Sequence, residues 1–242
     1  MRLAVLDDYL HVAEDAADWD SLGFDVTFFD TTIHKTKALV ERLAPFDVLV
    51  TTRERTRFPR EVLEQLPNLK LIAGTGRRQA NVDLDAATEL GIPVLVTVGG
   101  GGRGNSTAEL TWGLVIALTR HIAWEDRQLR EGRWQTRLSE GLGGRTLGIL
   151  GLGRIGTRVA GYGNLFEMDV IAWGPTLDAE RAARSNVEYV AWEQLFERSD
   201  VLSIHVPLTD LSRGWVTAKE LGLMKSSAFL INTARSPIVP AF

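Results

Sequence analysis

The chain has 242 residues, 45% of them hydrophobic, a formal net charge of -4 and no cysteine. That length and apolar content suit one large domain or two modest ones, and the lack of thiols excludes a disulfide framework, thiolate metal ligands and a cysteine nucleophile. A slightly acidic composition with dispersed Lys and Arg argues against nucleic acid. The short apolar run behind Met1, closed by Asp7 and Asp8, suits neither a signal peptide nor a membrane span, so a cytoplasmic location is expected.

Short, largely apolar runs recur at residues 3–6, 24–29, 46–50, 69–73 and 92–96, with helical patterns between them. They continue at 147–150, 170–173, 201–206 and 228–231. Strands of this kind are covered on both faces, and their alternation with helices predicts an α/β fold with parallel sheets. Arg53-Glu54-Arg55-Thr56-Arg57 reads as a solvated loop, and His11, His34 and His121 match no metal-ligand spacing. No metal site is expected.

The glycine run at 99–104 has no core-building side chains and predicts a hinge between residues 1–100 and 101–242. Beyond it, Ser106-Thr107-Ala108-Glu109 reads as a capping box. A long helix should follow, with Leu110, Leu114, Val115, Leu118 and Ile122 forming its buried stripe. A second glycine cluster, 141–144, then leads into a strand.

Gly151-Leu152-Gly153-Arg154-Ile155-Gly156 follows that strand and opens a helix with Ile155, Val159, Tyr162 and Phe166 on its apolar face. The arrangement predicts a dinucleotide site. Gly151 makes the tight turn, Gly153 admits the pyrophosphate, Gly156 lets helix and strand pack, and the helix N-terminus attracts the phosphates. Gly161 and Gly163 each cost about 1 kcal/mol relative to alanine and predict a marginal helix. Gly174 stands at the end of the second strand, where an acidic residue would bind the adenosine ribose, and Pro175 and Thr176 follow it. With Arg181 and Arg184 close in sequence, the cofactor is NAD or NADP.

Three ordered motifs, residues 147–156, Asp200 through Thr209, and Leu230-Ile231-Asn232-Thr233-Ala234-Arg235, resemble the D-isomer-specific 2-hydroxyacid dehydrogenases, as do residues 90–94 and 108–111. The resemblance implies a flavodoxin-like substrate domain in residues 1–100. It also implies an NAD(P)-binding domain in 101–242, a Rossmann-type doubly wound parallel sheet that is incomplete at its C-terminus. The implied activity is hydride transfer between nicotinamide and a small 2-oxo or 2-hydroxy acid, by a homodimer paired through the nucleotide domain.

The same resemblance makes Arg235 the clamp on substrate carboxylate and carbonyl, and Gly74-Thr75-Gly76 a turn lending backbone donors to the carboxylate. Thr107, Arg154, Ile155, Pro175, His205, Val206, Pro207, Thr233 and Ala234 join the glycines around the cofactor. Arg77 and Arg78 read as exposed loop residues or as a site for a second anionic group. In the family a histidine paired with a glutamate supplies the proton, both after the arginine motif, and this chain ends at Phe242. His205 matches a strand histidine of cofactor-side or structural role. A catalytically silent NAD(P)-binding or scaffold protein is therefore the rival reading.

Overall fold

The computed structural model describes residues 1–76, 79–97 and 106–240. The chain divides into two compact units, Met1–Gly102 and Arg103–Phe242. The first contains β1 (Arg2–Leu6), β2 (Asp25–Phe28), α1 (Thr36–Leu43), β3 (Val48–Thr52), α2 (Arg60–Leu63), β4 (Leu71–Thr75), α3 (Leu84–Glu89) and β5 (Val94–Val96). The strands are all parallel in the order β2-β1-β3-β4-β5, the flavodoxin-like arrangement. Alternation along β1 sends Leu3 and Val5 to one face and Ala4 and Leu6 to the other, and both faces are buried.

The segment 53–57 is a loop that is solvated only in part: Arg53 and Arg57 are exposed, but Thr56 is buried. The Arg55 guanidinium donates to the Asp7 carbonyl at 2.5 Å and lies 4.2 Å from the Tyr9 ring centroid. Thr56 donates to the Asp7 carboxylate from its backbone N at 3.2 Å and from Oγ1 at 2.8 Å. Asp7 is only 1% exposed, and a buried carbonyl and carboxylate need such donors. They lie 48 and 49 residues further along the chain, beyond any local pattern.

The second unit contains α4 (Ser106–Thr119), α5 (Ile122–Arg130), β6 (Thr146–Leu150), α6 (Arg154–Leu165), β7 (Asp169–Trp173), α7 (Ala179–Ala183), β8 (Glu188–Tyr189), α8 (Trp192–Arg198), β9 (Val201–Ile204), α9 (Ala218–Leu223) and β10 (Phe229–Asn232). The strands run parallel in the order β10-β9-β6-β7-β8. Counted from β6 this is the 3-2-1-4-5 order of the doubly wound nucleotide fold. One face packs on Trp112, Val115, Val159 and Ala160, the other on Leu195, Phe196, Val216 and Ile238. Strand β8 escapes sequence reading because its two residues are both exposed and form no apolar run.

Three expectations for this unit need correction. The long helix is two helices, broken at His121, whose φ is +54°. Its buried face is Ala108, Thr111, Trp112, Val115 and Thr119, while Leu110, Leu114, Leu118 and Ile122 are 58%, 39%, 40% and 50% exposed. The helix is apolar on more than one side, so periodicity alone does not say which side meets the sheet. Helix α6 is unbroken despite its glycines. A Cβ on Gly163 would lie 2.6 Å from the Leu147 side chain, so glycine there permits helix and strand to touch. The glycine run at 99–104 and Arg77 and Arg78 lie outside the described residues, and Ser106, the expected cap, is instead the first residue of α4.

Candidate functional site

The crevice of the second unit opens where strand order reverses, between the carboxyl ends of β6 and β9. Leu150 pairs with Ile204 across that seam, and the His205 backbone N–H donates to the Leu150 carbonyl at 2.8 Å. Gly151 then turns with φ +99°, and its N–H donates to the Trp173 carbonyl at 2.8 Å. A Cβ there would lie 2.7 Å from Val206 Cγ1 and 3.0 Å from the Val206 nitrogen. On Gly156 it would overlap the Gly151 carbonyl oxygen.

Gly153 differs from both. It is exposed and extended, with φ -95° and ψ -160°, and nothing lies within 4 Å of where its Cβ would stand. Its carbonyl accepts the Thr157 N–H at 2.8 Å and so starts α6. The first N–H groups of a helix lack intrahelical partners and carry partial positive charge. Two glycines are therefore filled by the protein itself, while the third faces open space beside a helix start. That is the shape and polarity a pyrophosphate requires, and it fits the phosphates of NAD or NADP.

Other expected residues form the rim. Gly174 is buried, its Cβ position 3.8 Å from the Gly151 Cα, while Pro175, Arg154 and Pro207 are exposed, Ile155 is half-buried and Val206 is buried. The His205 ring Nε2 is 2.8 Å from Ser203 Oγ. Burial pushes its pKa down to about 4, because a charged imidazolium is poorly solvated there. The ring is neutral at neutral pH.

Beyond β10, Asn232 fastens the turn that presents Arg235: its Oδ1 accepts the Ala234 N–H at 3.0 Å and its Nδ2 donates to the Arg235 carbonyl at 3.1 Å. Arg235 is exposed, and its Nη1 donates to the Ala234 carbonyl at 2.9 Å. Thr233 Oγ1 is 2.9 Å from Thr111 Oγ1, whose own proton goes to the Thr107 carbonyl at 2.8 Å. Thr233 is thus the donor, and Thr111 links α4 to the arginine turn. Thr111 and Ser203 were not foreseen as site residues, since a threonine in a helix and a serine in a strand carry no distinguishing local pattern.

Gly74-Thr75-Gly76 belongs to the first unit. Thr75 Oγ1 donates to the Thr51 carbonyl at 3.0 Å and accepts the Arg53 N–H at 3.2 Å. Gly76, with φ +136°, donates its N–H to Thr97 Oγ1 at 2.9 Å. The Gln79 amide fills the space a Cβ on Gly74 would take, with its Oε1 accepting from Thr51 Oγ1 at 3.1 Å and its Nε2 among the buried atoms without a partner. Among the described residues no group of three or more His, Asp or Glu is arranged to hold a metal ion, and no helix is long and apolar enough to cross a membrane.

The sequence profile described as D-isomer specific 2-hydroxyacid dehydrogenase, NAD binding domain, matches residues 112–241, which include the glycine turn, both walls of the crevice and Arg235. The chain belongs to this family. It is 39% identical over 85% of its length to the hydroxypyruvate reductase of Thermotoga maritima, and 41% identical over 74% of its length to the glyoxylate reductase of Aeropyrum pernix. It spans 66% and 56% of those relatives. Among solved structures, a phosphoglycerate oxidoreductase from Vibrio cholerae o395 matches with a TM-score of 0.90 and 38% identity, over 100% of this chain and 78% of that one. The D-lactate dehydrogenase of Aquifex aeolicus, complexed with NAD and lactic acid, matches with a TM-score of 0.78 and 25% identity, over 98% of this chain and 70% of that one. The second unit carries the family's NAD-binding domain.

Proposed function

We propose that this chain serves an NAD(P)-dependent oxidoreductase acting on a small 2-oxo or 2-hydroxy acid, with the second unit holding the cofactor and Arg235 clamping the substrate. The observation that carries this reading is the open Cβ position of Gly153 between the two closed ones of Gly151 and Gly156. The bound cofactor supplies or accepts the hydride. Gly153, Arg154, Ile155 and Gly156 hold the pyrophosphate through main-chain donors at the start of α6, Gly151 makes the turn that brings it there, and Gly174 and Pro175 flank the adenosine end. Thr107, His205, Val206, Pro207, Thr233 and Ala234 line the remainder. His205, neutral and bonded to Ser203, suits a wall of the site better than a proton donor, because a pKa of about 4 leaves no proton to give at neutral pH.

The Arg235 guanidinium suits a clamp because its planar fork binds a carboxylate at two points and stays charged. Within the first unit, Gly74, Thr75 and Gly76 suit a turn that lends main-chain donors to a carboxylate, for which the Gly76 N–H must leave Thr97. The exposed row of Leu110, Leu114, Leu118 and Ile122 supports pairing of two copies through the second unit. Leu114→Asp should then halve the mass measured by light scattering, and an unchanged mass would remove that row from the interface.

The main test is calorimetric. NADH or NADPH is titrated into the parent and into Arg235→Ala, and oxamate, an unreactive 2-oxo acid analogue, is then titrated into the loaded proteins. Cofactor affinity should be the same in both, and oxamate should bind the variant about tenfold more weakly or worse, the equivalent of roughly 1.4 kcal/mol. Equal oxamate affinity would remove Arg235 from the substrate site, and failure of both cofactors to bind would overturn the reading as a whole.

A further inference from the structure

We infer that this site selects NADP(H) over NAD(H), with Arg181 and Thr176 receiving the 2′-phosphate of the adenosine ribose on a surface that Gly174 leaves uncharged. The inference rests on the cofactor reading above and narrows it.

In dinucleotide folds the residue ending the second strand of the βαβ unit sets this choice: a carboxylate there accepts hydrogen bonds from the ribose hydroxyls and repels a phosphate. Strand β7 ends at Trp173, and Gly174 follows. Packing does not demand a glycine. A Cβ would meet Leu177 Cβ at 3.5 Å and Gly151 Cα at 3.8 Å, both ordinary contacts, and the backbone is outside the left-handed region. Gly174 thus differs from Gly151 and Gly156, which the fold cannot replace. The position has room for a Cβ and carries no carboxylate.

The two arginines that follow are not equivalent. Arg184 is paired with Glu180 at 2.6 Å on the surface of α7. Arg181 turns back to the glycine turn: its Nη2 donates to the Leu152 carbonyl at 3.1 Å, and its Nη1 lies 3.2 Å from the Thr176 carbonyl and 3.4 Å from Thr176 Oγ1. These partners are neutral, so they fix the guanidinium without cancelling its charge. The first carboxylate past the strand, Asp178, is turned to the start of α7, where its Oδ1 accepts the Arg181 N–H at 2.7 Å. The result is a cation bridging the phosphate turn and the loop after β7, with a hydroxyl beside it. A phosphate monoester, dianionic and rich in acceptors, is the complement of such a pair.

The test measures binding, independent of turnover. NADPH and NADH are titrated calorimetrically into the parent, Arg181→Gln and Gly174→Asp. In the parent NADPH should bind about tenfold more tightly or better, as for a charge-assisted contact to phosphate, and the margin should shrink as salt is raised. Arg181→Gln should weaken NADPH and leave NADH unchanged, and Gly174→Asp should reverse the preference. Equal affinities in the parent, or tighter NADH, overturn the inference while leaving the cofactor site standing. Equal weakening of both cofactors in Arg181→Gln makes Arg181 a brace for the Leu152 carbonyl and also overturns it. Failure of both cofactors to bind the parent takes down the cofactor reading and this inference with it.

Discussion

Two glycine turns leave the carboxyl ends of parallel strands, one after β6 and one after β4, and they are built from different constraints. At Gly151 and Gly156 the space a Cβ would need is held largely by main chain: the Val206 nitrogen, and the Gly151 carbonyl itself. At Gly74 it is held by the end of one side chain, Gln79. The first turn opens a helix of twelve residues and leaves Gly153 facing open space. The second has its Gly76 N–H and Thr75 hydroxyl already bonded within the unit. A glycine at a strand end is thus no sign of a pyrophosphate site by itself. Open space and helix N–H groups beside it are what make one.

The comparison breaks most sharply at Gly156. Gly156→Ala sets a methyl against a backbone carbonyl that no rotamer change removes, so chemical denaturation should show a loss of about 3 kcal/mol or more, and cofactor binding should fail. An unchanged denaturation midpoint would mean that the main chain there yields as easily as a side chain.

The walls behind the two turns also differ in whether they can titrate. The second unit's turn is backed by His205, whose pKa burial lowers from 6.5 to about 4, while the first unit's turn is backed by Gln79, which does not titrate. Folded His205 stays neutral where the unfolded chain takes a proton. Its contribution is therefore fully present above about pH 6.5 and is lost as pH falls toward 4. The full loss is about 3 kcal/mol, since each tenfold difference in proton affinity between the folded and unfolded chain is worth roughly 1.4 kcal/mol. Denaturation midpoints measured from pH 7 to 4 should fall more steeply in the parent than in His205→Gln, and parallel slopes would show that the imidazole is freely hydrated.

Smaller effects sharpen the contrast. Gly74→Ala should cost about 1–2 kcal/mol, within the range for overpacking that a side chain can relieve. A double-mutant cycle with Gln79→Ala should recover part of that cost, and strict additivity would place the strain in the backbone. Gly153→Ala should change stability by less than about 0.5 kcal/mol, having nothing to strike. It should nevertheless weaken cofactor binding about tenfold, since the methyl stands in the gap left for the pyrophosphate.

Much of the fold was legible because parallel strands buried on both faces are apolar without interruption, as at 3–6 and 147–150. The glycine turn was legible because its steric demands fall within six residues. Helix α4 was misread because Leu110, Leu114 and Leu118 keep helical spacing as well as Thr111 and Val115 do. Periodicity identifies an apolar face but not the neighbour that covers it. Arg181 and Arg184 were indistinguishable in sequence, and only the fold of α7 separates the one held at the Leu152 carbonyl from the one paired with Glu180.

The sequence by itself determined the α/β class, the family and the turn that fits a dinucleotide, since each follows from short-range patterns of side-chain size and polarity. Tertiary structure alone decided which face of α4 is buried, how Asp7 is satisfied from residues 55 and 56, that Gln79 sits on Gly74, and how strongly His205 is desolvated. Those outcomes depend on groups brought together from distant parts of the chain, where packing and solvation are settled only once the sheets have formed.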